Sequence, residues 1–248
     1  MNPGCPSLTP VLPAVFLIAC ATGGCVSRPP TIAHTHIGHT VTAVHVTPDR
    51  KGYLEVAEER AATASEATLA ATADGMDLAA VKAQAATIAG AVSSADRFGL
   101  KQAVIQAANH LSFAATADDA SANLREFAPG FERNIVRIVE RCELMELLTN
   151  DIAATDSLDE ARVLAANLRA LAKANVDGED DDGDGVVGGT PAGYGMAQLR
   201  KDVDAMLARE NPPYAIVDSW YLFNLVRLPN GLWVWDKLGR GGNIEGYQ

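Results

Sequence analysis

The chain has 248 residues, a formal net charge of -11 and a hydrophobic content of 48%, ample for one large domain or two small ones. So acidic a chain offers no basic face for phosphate contacts, which excludes nucleic acid as a partner. The same charge suits cations.

The first 25 residues contain no charged side chain and one apolar run, Val11–Ala19. That run is too short to span a bilayer and has the length of a signal-peptide core. It ends in Leu17-Ile18-Ala19-Cys20, which resembles the lipobox of bacterial lipoproteins. The resemblance covers four residues and their apolar approach, and the run lacks the Lys or Arg that usually precedes it. It implies a signal peptide over 1–19, lipidation of Cys20 and a tether over 20–32. The expected location is the periplasmic side of the outer membrane, because Ala follows the cysteine. Ala19-Cys20-Ala21 also reads as an ordinary cleavage site, which would release a secreted or periplasmic protein. Beyond this segment no apolar run is long enough to cross a membrane. Of the remaining cysteines, Cys25 and Cys142 would pair in an oxidising periplasm, but Cys142 falls on an apolar helical face and reads better as a buried thiol.

Next comes "AHTHIGHTVTAVHV", Ala33 to Val46, with four of the five histidines: His34, His36, His39 and His45. Alternation with β-branched residues favours an extended strand. His34 and His36 would then share one face, and a bend at Gly38 would bring in His39. Three imidazoles suit Zn²⁺ or Cu²⁺, with His45 or His110 as a fourth ligand. Alternatively the segment is a plain polar strand or a pH-responsive cluster. The H-x-H-x-x-H spacing is similar to that of metallo-β-lactamase-type hydrolases, but Gly38 stands where they carry Asp. The H-x-H of amidohydrolases comes with a (β/α)₈ barrel that this chain does not spell. Haem attachment has no C-x-x-C-H. The stretch from Ala33 through Glu59 is also similar to uncharacterised bacterial lipoproteins with a His-rich start before Ala/Glu helices, which implies no function.

The middle is helical. Tyr53–Ala73 stops at Asp74-Gly75, a C-terminal glycine signal. Residues 77–95 place Leu78, Val81, Ala85, Ile88, Val92 and Ala95 at heptad-like spacing, and 100–117 repeat it with Leu100, Val104, Ala107, Leu111 and Ala114. A short helix near 121–128 and a break at Pro129-Gly130 precede a long helix carrying Phe131, Ile135, Ile138, Cys142, Met145 and Ile152. Ser157 and Glu160 form a capping box for a helix over 157–174. Narrow Ala-rich stripes mean closely approaching helices. The fold class is therefore mainly α: an antiparallel helical bundle with a small β element, the His-rich strand and a C-terminal β-hairpin.

"NVDGEDDDGDGVVGG" then holds Asp180-x-Asp182-x-Asp184-Gly185, with oxygen ligands at alternate positions and a glycine for the sharp turn. The spacing resembles the first half of an EF-hand loop and implies Ca²⁺ on Asp180, Asp182, Asp184 and the Val186 carbonyl, with Val187 packing inward. Pro191 stands where an EF-hand supplies a bidentate Glu, so the resemblance covers about eight residues; water, Asp202 or Asp204 would complete the shell, with weak affinity. A solvated acidic linker is the plain alternative. A helix over 195–209 follows, and the tail alternates around Asn230-Gly231, a favoured hairpin turn. The hairpin would pair with the strand near Val41–Val46, and its Trp233 and Trp235 would cover the core or offer a docking surface. Residues 33–176 and 177–248 are expected to pack as one domain.

Two functional expectations follow. One is a non-enzymatic cell-envelope lipoprotein that binds calcium at Asp180–Asp184, holds a transition metal at its histidines and meets an envelope protein partner. The other is a periplasmic metalloenzyme using His34, His36 and His39, with Glu58 or Glu59 as base. No nucleophile motif or phosphate loop is present to favour catalysis.

Overall fold

The computed structural model describes residues 32–211 and 214, with backbone stretches at 221–222, 225–227 and 233–235. Cys20, Cys25, the signal and the tether lie outside the described residues. No described helix is long and apolar enough to cross a membrane.

The described fold is mainly helical: α1 Ile32–Val41, α2 Tyr53–Ala71, α3 Leu78–Val92, α4 Leu100–Thr116, α5 Ala122–Ala154, α6 Leu158–Asp177 and α7 Met196–Arg209. One core runs through all seven. α2 packs on α3, α4 and α6, α5 on α3, α4 and α6, α1 lies on α4, and α7 closes against α5, α6 and α2. The stripes read from the sequence form this core: Val81, Ala85, Ile88 and Val92 of α3 and Val104, Ala107, Leu111 and Ala114 of α4 are all buried. Their small side chains let backbones come close. At the start of α4, a Cβ on Gly99 would lie 2.4 Å from the Val92 carbonyl oxygen of α3.

Helix ends follow local chemistry. Asp77, Ser121 and Ser157 cap α3, α5 and α6 by accepting from the amides of Ala80, Leu124 and Glu160. The Ser157–Glu160 capping box is half made, since the Glu160 carboxylate accepts from the Thr155 hydroxyl instead. After α2 the chain turns at Gly75, whose φ of 79° is in the left-handed region.

Two expectations are corrected. The His-rich segment is a helix followed by a loop. Ala33, Ile37 and Thr40 recur at helical spacing and are buried against the bundle, and that packing outweighs the β preference of Thr and Val. The expected pairing of a Val41–Val46 strand with the tail falls with it. Nor does Pro129-Gly130 break the chain: α5 runs unbroken from Ala122 to Ala154. Its buried positions 124, 128, 131, 135, 138, 142, 145, 149 and 152 alternate steps of four and three straight through the proline. Pro129 and Arg125 both lie on the exposed face of α5, so solvent can reach the Arg125 carbonyl that the proline leaves without a helical donor.

Of the expected hairpin, the Asn230-Gly231 turn lies outside the described residues. Three short stretches, β1 Tyr221–Leu222, β2 Leu225–Arg227 and β3 Trp233–Trp235, pair antiparallel in that order, with Arg227 opposite Trp233.

Candidate metal centre

The histidines converge, but not in the set that an extended chain would bring together. On helical α1, His36 and His39 are three residues apart and share a face. That face meets α4, where His110 stands at the edge of the buried stripe between Ala107 and Ala114. His36 Nδ1 lies 3.0 Å from His110 Nδ1. One ring nitrogen from each of the three lies within 4.8 Å of the others. The His39 and His110 rings meet edge to face at 4.9 Å, and Tyr53, at the start of α2, stacks on His110 at 5.2 Å. Phe113 leans on His36 and His110 from the solvent side and is 55% exposed.

His34 and His45 stand apart from this group. His34 is buried on the other side of α1, its ring edge-on to Tyr214 at 5.9 Å. His45 is exposed in the loop after α1. The expected set of His34, His36, His39 and His45 is therefore replaced by His36, His39 and His110, because a helical repeat of 3.6 separates His34 from His36 where a strand would align them.

Burial disfavours the charged form of all three imidazoles. It lowers His36, and it lowers both His39 and His110 to about 4, with the neighbouring histidines adding smaller contributions of the same sign. A neutral ring keeps the lone pair a metal needs. His39 Nδ1 is buried without any hydrogen-bond partner, an arrangement that costs free energy unless something binds there. For Zn²⁺ at about 2.0–2.1 Å from each nitrogen in a tetrahedron, ligand nitrogens sit roughly 3.3 Å apart. From separations of no more than 4.8 Å, side-chain rotation would bring the three into that range.

The second candidate is the acidic loop between α6 and α7. Asp180, Asp182 and Asp184 place carboxylate oxygens within 4.8 Å of one another, all exposed. The loop supplies its own amides to them: Gly183 and Gly185 donate to Asp180, Asp184 to Asp182, and Val186 to Asp184. The Val186 carbonyl accepts from Gly189. Two details differ from expectation. Val187 is 50% exposed, since no partner helix closes over it. Asp202 accepts from the Tyr194 hydroxyl at 2.7 Å.

What fixes this loop is Arg141, whose side chain is 1% exposed. It donates to the carbonyls of Tyr194 (2.6 Å) and Ala192 (2.9 Å) and to the Glu179 carboxylate at 2.5 Å. Glu179 in turn donates its amide to Gly193. Both ends of the loop are thus pinned to α5. The sequence reading missed Arg141, although its position three after Ile138 and four before Met145 puts it on the buried stripe. Cys142, next along, is fully buried, and burial pushes its thiol up to about 12, which makes it inert.

Both carboxylates considered as a base are engaged elsewhere. Glu58 holds Arg200 of α7 through two contacts of 2.7 and 2.5 Å, and Glu59 pairs with Lys51.

Compared with known proteins, the chain matches no protein-family model, no curated protein and no solved structure. The functional reading rests on the site itself.

Proposed function

We propose that this chain is a non-enzymatic cell-envelope lipoprotein that binds a divalent late transition metal at His36, His39 and His110. One observation carries the metal reading: three half-buried imidazoles from two helices bring a nitrogen each within 4.8 Å, and His39 Nδ1 is buried and unpartnered. Imidazole nitrogen suits Zn²⁺, Cu²⁺ or Ni²⁺ better than the hard alkaline-earth ions. The enzyme reading has less support, because Glu58 and Glu59 are tied into ion pairs and, among the described residues, no carboxylate joins the triad.

Titration calorimetry with zinc sulfate, on protein purified without a His tag and stripped of metal, tests the reading. The expected result is one ion per chain, lost in His36→Ala and in His110→Ala and kept in His34→Ala. Equal binding by all four proteins overturns it.

Calcium in the Asp180–Asp184 loop is the second ion of the proposal, supported by the alternate carboxylates and by the amides that orient them. With few ligands and no bidentate Glu, its dissociation constant is expected near 10⁻⁴ to 10⁻³ M, on the order of extracellular modules. Ten millimolar Ca²⁺ then raises stability by about 1–3 kcal/mol by mass action. A melting curve unmoved by Ca²⁺, or moved equally in Asp182→Ala, removes this part.

Anchoring through Cys20 on the periplasmic face of the outer membrane is supported by Leu17-Ile18-Ala19-Cys20, and is tested by labelled palmitate uptake that Cys20→Ala abolishes. The finer architecture proposed is an antiparallel bundle closed by a tail hairpin at Asn230-Gly231, supported by the β2–β3 pairing. Trp233 and Trp235 would then serve the core or meet an envelope partner.

A further inference from the structure

Three imidazoles do not complete the shell of the cation they suit. His36, His39 and His110 each bring one nitrogen within 4.8 Å of the others, and among the described residues no cysteine, aspartate, glutamate or further histidine joins them. A tetrahedral ion with three protein donors takes its fourth ligand from outside the protein. Two neighbours could be thought to supply it, and neither is placed to do so. Tyr53 lies 5.2 Å from His110 with the rings only 20° from parallel. It therefore covers the face of the imidazole, whereas the lone pairs point out in the ring plane. His45 is exposed, on a loop held on either side of it by buried Val44 and by Thr47, whose hydroxyl donates to the carbonyls of Val44 and Lys51.

The two sides of the cluster differ in character. Tyr53 closes the side toward α2 and is itself buried. On the other side the half-buried rings meet water across an apolar rim. Phe113 stands there, largely exposed, with its ring centred 5.5 Å from His36 and 6.0 Å from His110. Ile32, four residues before His36 and so on the same face of α1, is 63% exposed.

Charge and rim together define what would enter. Imidazoles bind a metal as neutral rings, so a divalent ion held by three of them keeps both of its charges. In a half-buried setting a counter-charge is worth more than in bulk water. An anion must also shed its water to sit beside Phe113 and Ile32, which costs a strongly hydrated ion such as sulfate more than a weakly hydrated one.

We propose that the His36–His39–His110 centre is a receptor for a small, monodentate, weakly hydrated anion, which takes the fourth position on the metal and rests against Phe113. The inference rests on the metal reading above and adds what the metal holds. Binding is a simple ligand exchange: the anion donates a lone pair to the metal and displaces one water, and no bond within the chain is made or broken.

Visible absorption of the full chain, stripped of metal and loaded with cobalt(II) sulfate, tests the receptor, because the d–d bands of Co²⁺ report a change of ligand. Sodium thiocyanate should shift the bands saturably, with one anion per metal, while sodium sulfate at equal ionic strength leaves them in place. Phe113→Ala should still bind cobalt but hold thiocyanate about two- to fivefold more weakly, the loss of part of one apolar contact. His45→Ala should titrate like the unaltered protein. If cobalt does not bind, the metal reading falls and the receptor with it. Cobalt bound with bands that thiocyanate does not move overturns the receptor and leaves the metal site standing. A shift that appears only in His45→Ala also overturns it, because the fourth position then belongs to His45. Equal shifts with sulfate, or bands bleached as thiocyanate strips the metal, overturn it as well.

Discussion

Acidification of the metal-free protein should weaken it well before its carboxylates titrate. His39 and His110 ionise at about 4 in the fold and near 6.5 when unfolded. Between those values the unfolded chain binds more protons, so stability is full above about pH 6.5 and drains away as pH falls toward 4. Each histidine contributes at most about 1.4 kcal/mol per pH unit in that window, so two of them at pH 5 reach roughly 4 kcal/mol. The rings are coupled and partly exposed, which halves the figure to about 2 kcal/mol. For a domain of this size that lowers the melting temperature by roughly 4–8 °C. The assay is urea unfolding with EDTA present, followed by circular dichroism at pH 7.5 and pH 5.0. The double variant His39→Gln, His110→Gln should lose less than half as much over the same interval. Equal losses in the two proteins would refute the assignment of the acid sensitivity to this cluster.

Three substitutions test the packing that positions the two sites. Arg141→Leu strands the Glu179 carboxylate and the carbonyls of Ala192 and Tyr194; with Glu179 partly exposed, a loss of about 2–3 kcal/mol is expected in urea unfolding, and a neutral result would mean that the loop is held by other contacts. Pro129→Ala returns an amide to the Arg125 carbonyl in α5, so stability should rise by about 1–3 kcal/mol; a fall would mean that α5 needs the proline's geometry. Gly99→Ala places a methyl group 2.4 Å from the Val92 carbonyl oxygen, and should lower the melting temperature through a cost of about 1–3 kcal/mol.

The bundle was legible in the sequence because helices that bury a narrow stripe repeat small and apolar residues every three or four positions. α4 follows that rule at all five positions read and α3 at Val81, Ala85, Ile88 and Val92, whereas Leu78 is only half-buried and Ala95 lies exposed beyond the end of α3. Where the reading failed, a tertiary contact opposed a local preference. Thr40 and Val41 favour strands, yet they sit in α1 because Ile37 and Ala33 need the surface of α4. Pro129 breaks isolated helices, but the stripe on both sides of it is long enough to carry α5 through. The histidine cluster was legible in part. His36 and His39 were read as ligands and His110 as a candidate, whereas the choice against His34 and His45 depends on secondary structure that the histidine spacing alone does not fix. Arg141 stands on the stripe but reads as solvated, because an arginine's charge is out of place there until its partners, all 33 or more residues away, are in place.

The two candidate sites differ in what an ion can do for the protein. In the acidic loop the ligands fall within five residues and are already oriented by the loop's own amides, and Arg141 pins the ends without help. An ion there can tighten only what is already closed, so its effect on the rest of the chain is confined to the weak mass-action stabilisation of a local loop. At the histidines the candidate ligands are brought together by the packing of α1 on α4. There the same mass action would act on a contact between two helices, adding cross-links to a helix that is already packed. Removing calcium should therefore leave exchange at α1 untouched, while removing the transition metal should leave the exchange of Gly183, Gly185 and Val186 untouched. Each ion is thus its own control for the other.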